Sequence, residues 1–228
     1  MTVTEFEAAI FSQQPISPEH YDADYFTGDW RAEDNNYSLE TRRRIEAKNP
    51  QLIKEIFRPT NVLDLGCGPG ALMHLLWELG VSSDGIDFSP GSRELATPEV
   101  RDRIITGNTY DPIKSDNAYD LVICREVLEH LTVFQVKQTV VNIVRMTSCF
   151  VYCTTRFNPD PQTLLAFTTQ FDVDPSHITL LNKDFLRLLF ILEGCRSRPD
   201  LEDQMDWLGK GRVLVMEKQP PPAVTGEP

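Results

Sequence analysis

Basic charge is what this chain has least of: 22 Lys and Arg stand against 34 Asp and Glu, a formal net charge of -12 over 228 residues. A surface of that sign repels a phosphate backbone, and the best basic cluster, "RRR" at 42–44, is too short to offset it. Nucleic acid is therefore not expected as a partner. Long apolar runs are missing too; none approaches the roughly 18 residues that a membrane span needs, so no membrane association is expected. Cysteines are few and unpatterned. Cys67, Cys124, Cys149, Cys153 and Cys195 include no C-x-x-C pair and read as reduced, mostly buried thiols rather than a disulfide framework. The opening "MTVTEFEAAIFSQQ" is acidic where a secretory leader would be basic and then apolar. These absences together point to a soluble, cytoplasmic chain with one substantial core.

What is present is an alternation. From residue 61, short β-branched runs give way to longer helical patterns, which predicts a parallel sheet covered by helices. Strands are expected near 61–65, 82–87, 103–106, 119–124, 148–155 and 211–218. Helices are expected over 39–57, 70–79, 89–96 with Ser89 as N-cap, and 132–146, with a further one capped by Asn182 and ended by Gly194. The expected division is an N-terminal helical cap over 1–58, the sheet domain over 59–218 and a disordered tail over 219–228. Residues 156–181 form a long connection between a strand and the next helix, of the kind that makes a lid or binding loop.

The stretch "NVLDLGCGPGAL", residues 61–72, puts Gly66, Gly68 and Gly70 between a strand and a helix. The backbone there can turn tightly and present N–H groups with no Cβ in the way. With Ala71 and Asp87 the spacing also satisfies a dinucleotide-binding pattern. Asp64 separates the readings. A carboxylate two residues before Gly66 opposes a docked pyrophosphate but attracts an ammonium group, which S-adenosylmethionine carries at its methionine end. Asp87, at the end of the next strand, can accept hydrogen bonds from both ribose hydroxyls.

"VLDLGCGPG", "GIDFS" and "YDLVICREVLEHL" together resemble the class I S-adenosylmethionine-dependent methyltransferases. The resemblance implies an α/β Rossmann-like sandwich of three layers, whose seven-stranded, mostly parallel sheet has one antiparallel strand, the last. It also implies a cofactor site from Asp64, Gly66, Cys67, Gly68 and Gly70, with Asp87 and Phe88 at the ribose. Arg125 is expected nearby, and Tyr25, in "YDADYF", would close over the methionine end. Relatives have Gly-Asp where "ITGNTYDP" stands, so adenine is expected at Asn108, Thr109 or Tyr110.

A sulfonium leaving group departs neutral and needs no acid, so the protein must chiefly align the acceptor and remove a proton. The candidates are Glu126, Glu129 and His130, whose i, i+3, i+4 spacing would share one helical face. Three readings stand open: a loop brace, a general base at His130 oriented by a glutamate, and a divalent site, Mg²⁺, suggested by the similarity of "EVLEH" to ubiquinone-biosynthesis O-methyltransferases. Trp30, Tyr37, Arg156, Phe157 and His177 are candidate contacts for a small-molecule acceptor, with oxygen favoured over nitrogen and carbon. A redox enzyme or a non-catalytic cofactor-binding regulator is the alternative. Whether the chain acts alone or as a homodimer stays open.

Overall fold

A computed structural model describes residues 2–28, 36–160, 162–166, 174 and 176–220. Its helices are α1 Val3–Ser12, α2 Ala23–Thr27, α3 Leu39–Glu46, α4 Asn49–Phe57, α5 Ala71–Glu78, α6 Pro90–Leu95, α7 Pro98–Arg101, α8 Val133–Met146, α9 Lys183–Leu192 and α10 Pro199–Met205. The strands are β1 Asn61–Leu65, β2 Ser82–Asp87, β3 Ile104–Thr106, β4 Tyr119–Arg125, β5 Thr147–Thr154, β6 Leu165–Ala166, β7 Leu180–Leu181, β8 Cys195–Ser197 and β9 Val213–Lys218. Seven of them form one sheet in the order β3-β2-β1-β4-β5-β9-β8. Within that sheet β9 runs antiparallel to the other six strands.

Period-two alternation sorts the sheet residues to its two faces. Leu63 and Leu65 join a core with Val136, Val140 and Ile143 of α8 and Leu186 and Phe190 of α9. Val62 points the other way, into a second core with Ile53 of α4, Leu72 and Leu76 of α5 and Leu201 of α10. The result is the expected three-layer α/β/α arrangement. Chain order reverses between β1 and β4, so the loops leaving their carboxyl ends part there and open a crevice.

Three local expectations are corrected. The single helix over 39–57 is two helices, because Pro50 lacks an N–H and its ring excludes the carbonyl four residues back, that of Glu46, where α3 ends. Ala47 turns the corner at φ +43°. Ser89 holds the N-cap position of α6 as expected, but its hydroxyl makes no capping bond; it donates instead to the Tyr21 carbonyl at 2.5 Å, tying the N-terminal segment to the sheet edge. The seventh strand is the three-residue β8, too short to leave a periodic signal. Asn182 caps α9 as expected, accepting from the N–H groups of Asp184 and Phe185, and Gly194 follows its end at φ +90°. Residues 221–228 of the expected tail lie outside the described residues.

Gly85 in β2 fixes how closely the first loop can pack. A Cβ there would stand 2.6 Å from both Cys67 Sγ and Met73 Sδ. Gly85→Ala should therefore destabilise the fold by about 1–3 kcal/mol, the usual cost of overpacking. Urea unfolding followed by circular dichroism would measure it.

Candidate functional site

The loop after β1 is held by backbone and by one carboxylate. Gly66 N–H donates to Ile86 O at 2.7 Å, and Gly70 N–H to Cys67 O at 3.0 Å. Asp87, at the end of β2, accepts from Gly68 N–H at 2.8 Å and Ser89 N–H at 2.9 Å. Gly66 has φ +72°, and an added Cβ would lie 2.2 Å from Val127 Cγ2, so the β1 and β4 loops touch where only glycine fits.

Above that contact lies a cavity of about 730 Å³ of non-atom space, its mouth included. Of the sequence-predicted residues, Gly66, Gly68, Asp87, Phe88, Asn108, Thr109, Tyr110, Tyr25, Tyr37, Glu126 and His130 line it. Thr109 is fixed by its hydroxyl against that of Thr139, at 3.0 Å. Asn108 donates its amide N–H to Asp111 at 2.8 Å, which turns its carbonyl oxygen to other use.

Several predicted residues stand elsewhere. Cys67 turns its thiol into an apolar cluster with Met73, Ala96, Val100 and Ile104, where burial raises its pKa well above the ordinary value. Gly70 opens α5 against Ile104 and Val100. Arg125 reaches away to a buried ion pair with Glu46 of α3, 2.8 Å long. Phe157 packs on the main core. Arg156 is half-buried just past β5 and is not among the described residues lining the cavity. Trp30 lies outside the described residues.

Asp64 is 4% exposed on β1, beneath the loop. Burial, opposed by Arg125 and reinforced by Glu46 and Asp87, raises its pKa to about 7. Asp87 is pushed up to about 6, again by burial first, against the bonds from Ser89 and Gly68. Two acids desolvated on the neighbouring strands β1 and β2 suit a cationic, hydrogen-bonding ligand better than a phosphate.

The expected helix carrying Glu126, Glu129 and His130 does not form. Glu126 sits at φ +52°, and a single 3₁₀ turn, Leu128–His130, follows. The three side chains therefore share no helical face, although the Glu126 and Glu129 carboxyls stay in hydrogen-bonding contact. Glu126 faces the cavity and pairs with Arg212 at 3.6 Å. Glu129 is fully buried and accepts from the Thr155 hydroxyl at 2.8 Å, which makes it a brace between β4 and β5. His130 remains in the cavity wall.

The divalent reading needed Glu126, Glu129 and His130 together. Among the described residues the group that converges is Glu129, His130 and His177, one ligand atom each within 4.8 Å of the others. One carboxylate already bonded to Thr155 and two imidazoles do not make a magnesium site, which wants oxygen ligands in an octahedron. Magnesium does not fit these donors.

Sequence reading missed Gln135, Val127, Leu131 and Ile16 in the wall. It also missed Arg42, whose guanidinium stacks on the Tyr37 ring at 3.8 Å. The "RRR" run was its signal, legible as charge but not as a contact.

A Rossmann-like sheet of this order, with a glycine turn after β1 and an acid ending β2, defines the class I methyltransferase architecture. The methyltransferase-domain family profile matches residues 37–195, and the chain belongs to that family, the S-adenosylmethionine-dependent methyltransferases. It is 32% identical over 117 residues to the ubiquinone biosynthesis O-methyltransferase of Rickettsia conorii, covering 50% of this chain and 39% of that protein. The chain thus spans well under half the length of that curated relative. In fold it resembles an S-adenosylmethionine-dependent methyltransferase from Archaeoglobus fulgidus, with a TM-score of 0.61 at 16% identity over 86% of this chain and 97% of that one. A sugar N-methyltransferase from Streptoalloteichus also has a TM-score of 0.61, at 15% identity over 82% of this chain and 94% of that one.

Burial, then the neighbouring Glu126 carboxylate, pushes the Glu129 pKa well above its ordinary value. An unfolded chain ionises this group near about pH 4.3, before the folded one does, so its stabilising contribution is lost as pH rises above that value. Glu129→Gln keeps the acceptor for Thr155 and removes the titration. Its stability relative to the parent, from urea midpoints, should increase between pH 5 and pH 8.

Proposed function

We propose that this chain transfers the methyl group of S-adenosylmethionine to an oxygen of a small, largely apolar metabolite. The observation that carries the reading is the cavity itself, which joins the glycine loop and Asp87 to His130 within one enclosure. S-adenosylmethionine supplies an electrophilic methyl on sulfur, which leaves with the C–S electron pair as a neutral thioether.

The residues divide the work. Asp64, with the backbone of the Gly66–Gly68 turn, attracts the ammonium of the methionine end, and Asp87 accepts from the ribose hydroxyls. Asn108, Thr109 and Tyr110 receive the adenine. The aromatic rings of Tyr21, Tyr25, Phe26 and Tyr37 exclude water from the sulfonium and supply electron-rich ring surface to a cation. His130 takes the proton of the acceptor hydroxyl as its oxygen bonds to the methyl carbon, and later releases it to water. The similarity to O-methyltransferases supports oxygen as the acceptor atom. The described part of the 156–181 segment stands over this end: His177 is buried with its ring 4.6 Å from that of His130.

Two measurements test the reading. His130→Ala should keep S-adenosylhomocysteine affinity within about threefold while turnover falls by about a hundredfold or more, the contribution of a positioned base; an unchanged rate would remove the base. Binding of the cofactor's ammonium favours ionised Asp64, so binding releases a proton. Affinity for S-adenosylhomocysteine should fall by up to about tenfold per pH unit below pH 7. Titration calorimetry in two buffers of different ionisation enthalpy would detect the proton, and NADH in the same cell should give no heat.

A further inference from the structure

A chain of hydrogen bonds approaches His130 from the 156–181 segment. Asp174, 7% exposed, accepts from the Ser176 hydroxyl at 2.5 Å and from the Ser176 N–H at 3.0 Å, both on Oδ1. Its Oδ2 accepts from the Tyr25 hydroxyl at 3.3 Å. Ser176 Oγ, on a residue only 1% exposed, stands 2.8 Å from His130 Nδ1. The Tyr21 hydroxyl lies 3.0 Å from the same nitrogen.

The direction of these bonds follows from the donor inventory. Burial works to raise the Asp174 pKa, but the two bonds from Ser176, together with the attraction of the nearby His130 and His177, outweigh it and hold the carboxyl below its ordinary value. An ionised carboxylate only accepts, so the single Ser176 hydroxyl proton is committed to Asp174. Ser176 Oγ is then left to accept from its two other neighbours, the Tyr21 hydroxyl and His130, and the proton of the bond to His130 comes from Nδ1. In a neutral imidazole a proton on Nδ1 puts the lone pair on Nε2.

Tyr21 pulls the other way. Burial keeps its hydroxyl protonated far above neutral pH, so as the sole partner of Nδ1 it would donate, and the ring proton would sit on Nε2. Such a tautomer cannot accept a proton there.

We infer that Asp174 and Ser176 are positioning residues that hold His130 as its Nδ1–H tautomer, so that Nε2 is the atom that takes the acceptor's proton. The inference rests on the general-base reading above. It also gives Asp174 and Ser176 a chemical role: the base acquires its competent tautomer only with these two seated against it.

Long-range proton–nitrogen NMR on protein labelled with ¹⁵N-histidine and saturated with S-adenosylhomocysteine reads the tautomer directly. The four histidines can be assigned by His20→Gln, His74→Gln and His177→Gln. The parent and Tyr21→Phe should show His130 protonated on Nδ1, and Ser176→Ala should show it on Nε2. Turnover of Ser176→Ala should fall at least tenfold with S-adenosylhomocysteine affinity unchanged. A parent His130 protonated on Nε2 overturns the inference even if Ser176→Ala fails to fold, and so does an unshifted tautomer in Ser176→Ala. If the tautomer shifts while turnover is kept, the hydrogen-bond chain stands and the general-base reading fails instead.

Discussion

Asp87 accepts from the backbone N–H groups of Gly68 and Ser89, and the carboxyl edge of the sheet is arranged around that one carboxylate. The bond to Gly68 fixes the turn after β1; the bond to Ser89 fixes the start of α6. Ser89 in turn donates to Tyr21 O, which draws the N-terminal segment over the same edge. A group already bonded twice in this way keeps its position when a ligand arrives, and little reorganisation is left to oppose binding.

The second anchor is charged. Glu46, at the end of α3, pairs with Arg125 at the end of β4 and also accepts from Asn49, whose own oxygen accepts from Tyr152 of β5. Glu46 is buried and Arg125 partly so, and removing one partner of such a pair leaves the other charge uncompensated. The pair thus joins the N-terminal helices to the sheet beside Tyr37, which borders the cavity and carries the Arg42 guanidinium on its ring. It also supplies the positive charge that tempers the desolvation of Asp64.

Closure of the cavity depends on the meeting of two irregular segments. Gln13 donates to Ile178 O and Thr179 Oγ1 and accepts from Val133 N–H, while Tyr25 reaches Asp174. Backbone N–H groups of Ile178 and Thr179 both donate to Glu129 O. The buried brace Glu129 therefore holds the far segment against the turn that carries His130, and a residue first considered for chemistry serves as its support.

The strand–glycine–helix order, the acid Asp64 within β1 and the acid Asp87 ending β2 were legible in the residues alone, and with them the fold. Those features are local: a period of two, a turn that only glycine permits and a carboxylate at a strand end are each written in a few adjacent residues. Which side chains stand at the other end of the cavity was legible only in the folded chain. The i, i+3, i+4 spacing of Glu126, Glu129 and His130 suggested one helical face, but φ at Glu126 is +52° and a 3₁₀ turn follows, so one residue is buried, one faces Arg212 and one faces the cavity. His130 takes its partners from positions 46 and 109 residues away in the chain, Ser176 and Tyr21. No periodicity records contacts at such separations, because they are set by where the sheet's connections cross.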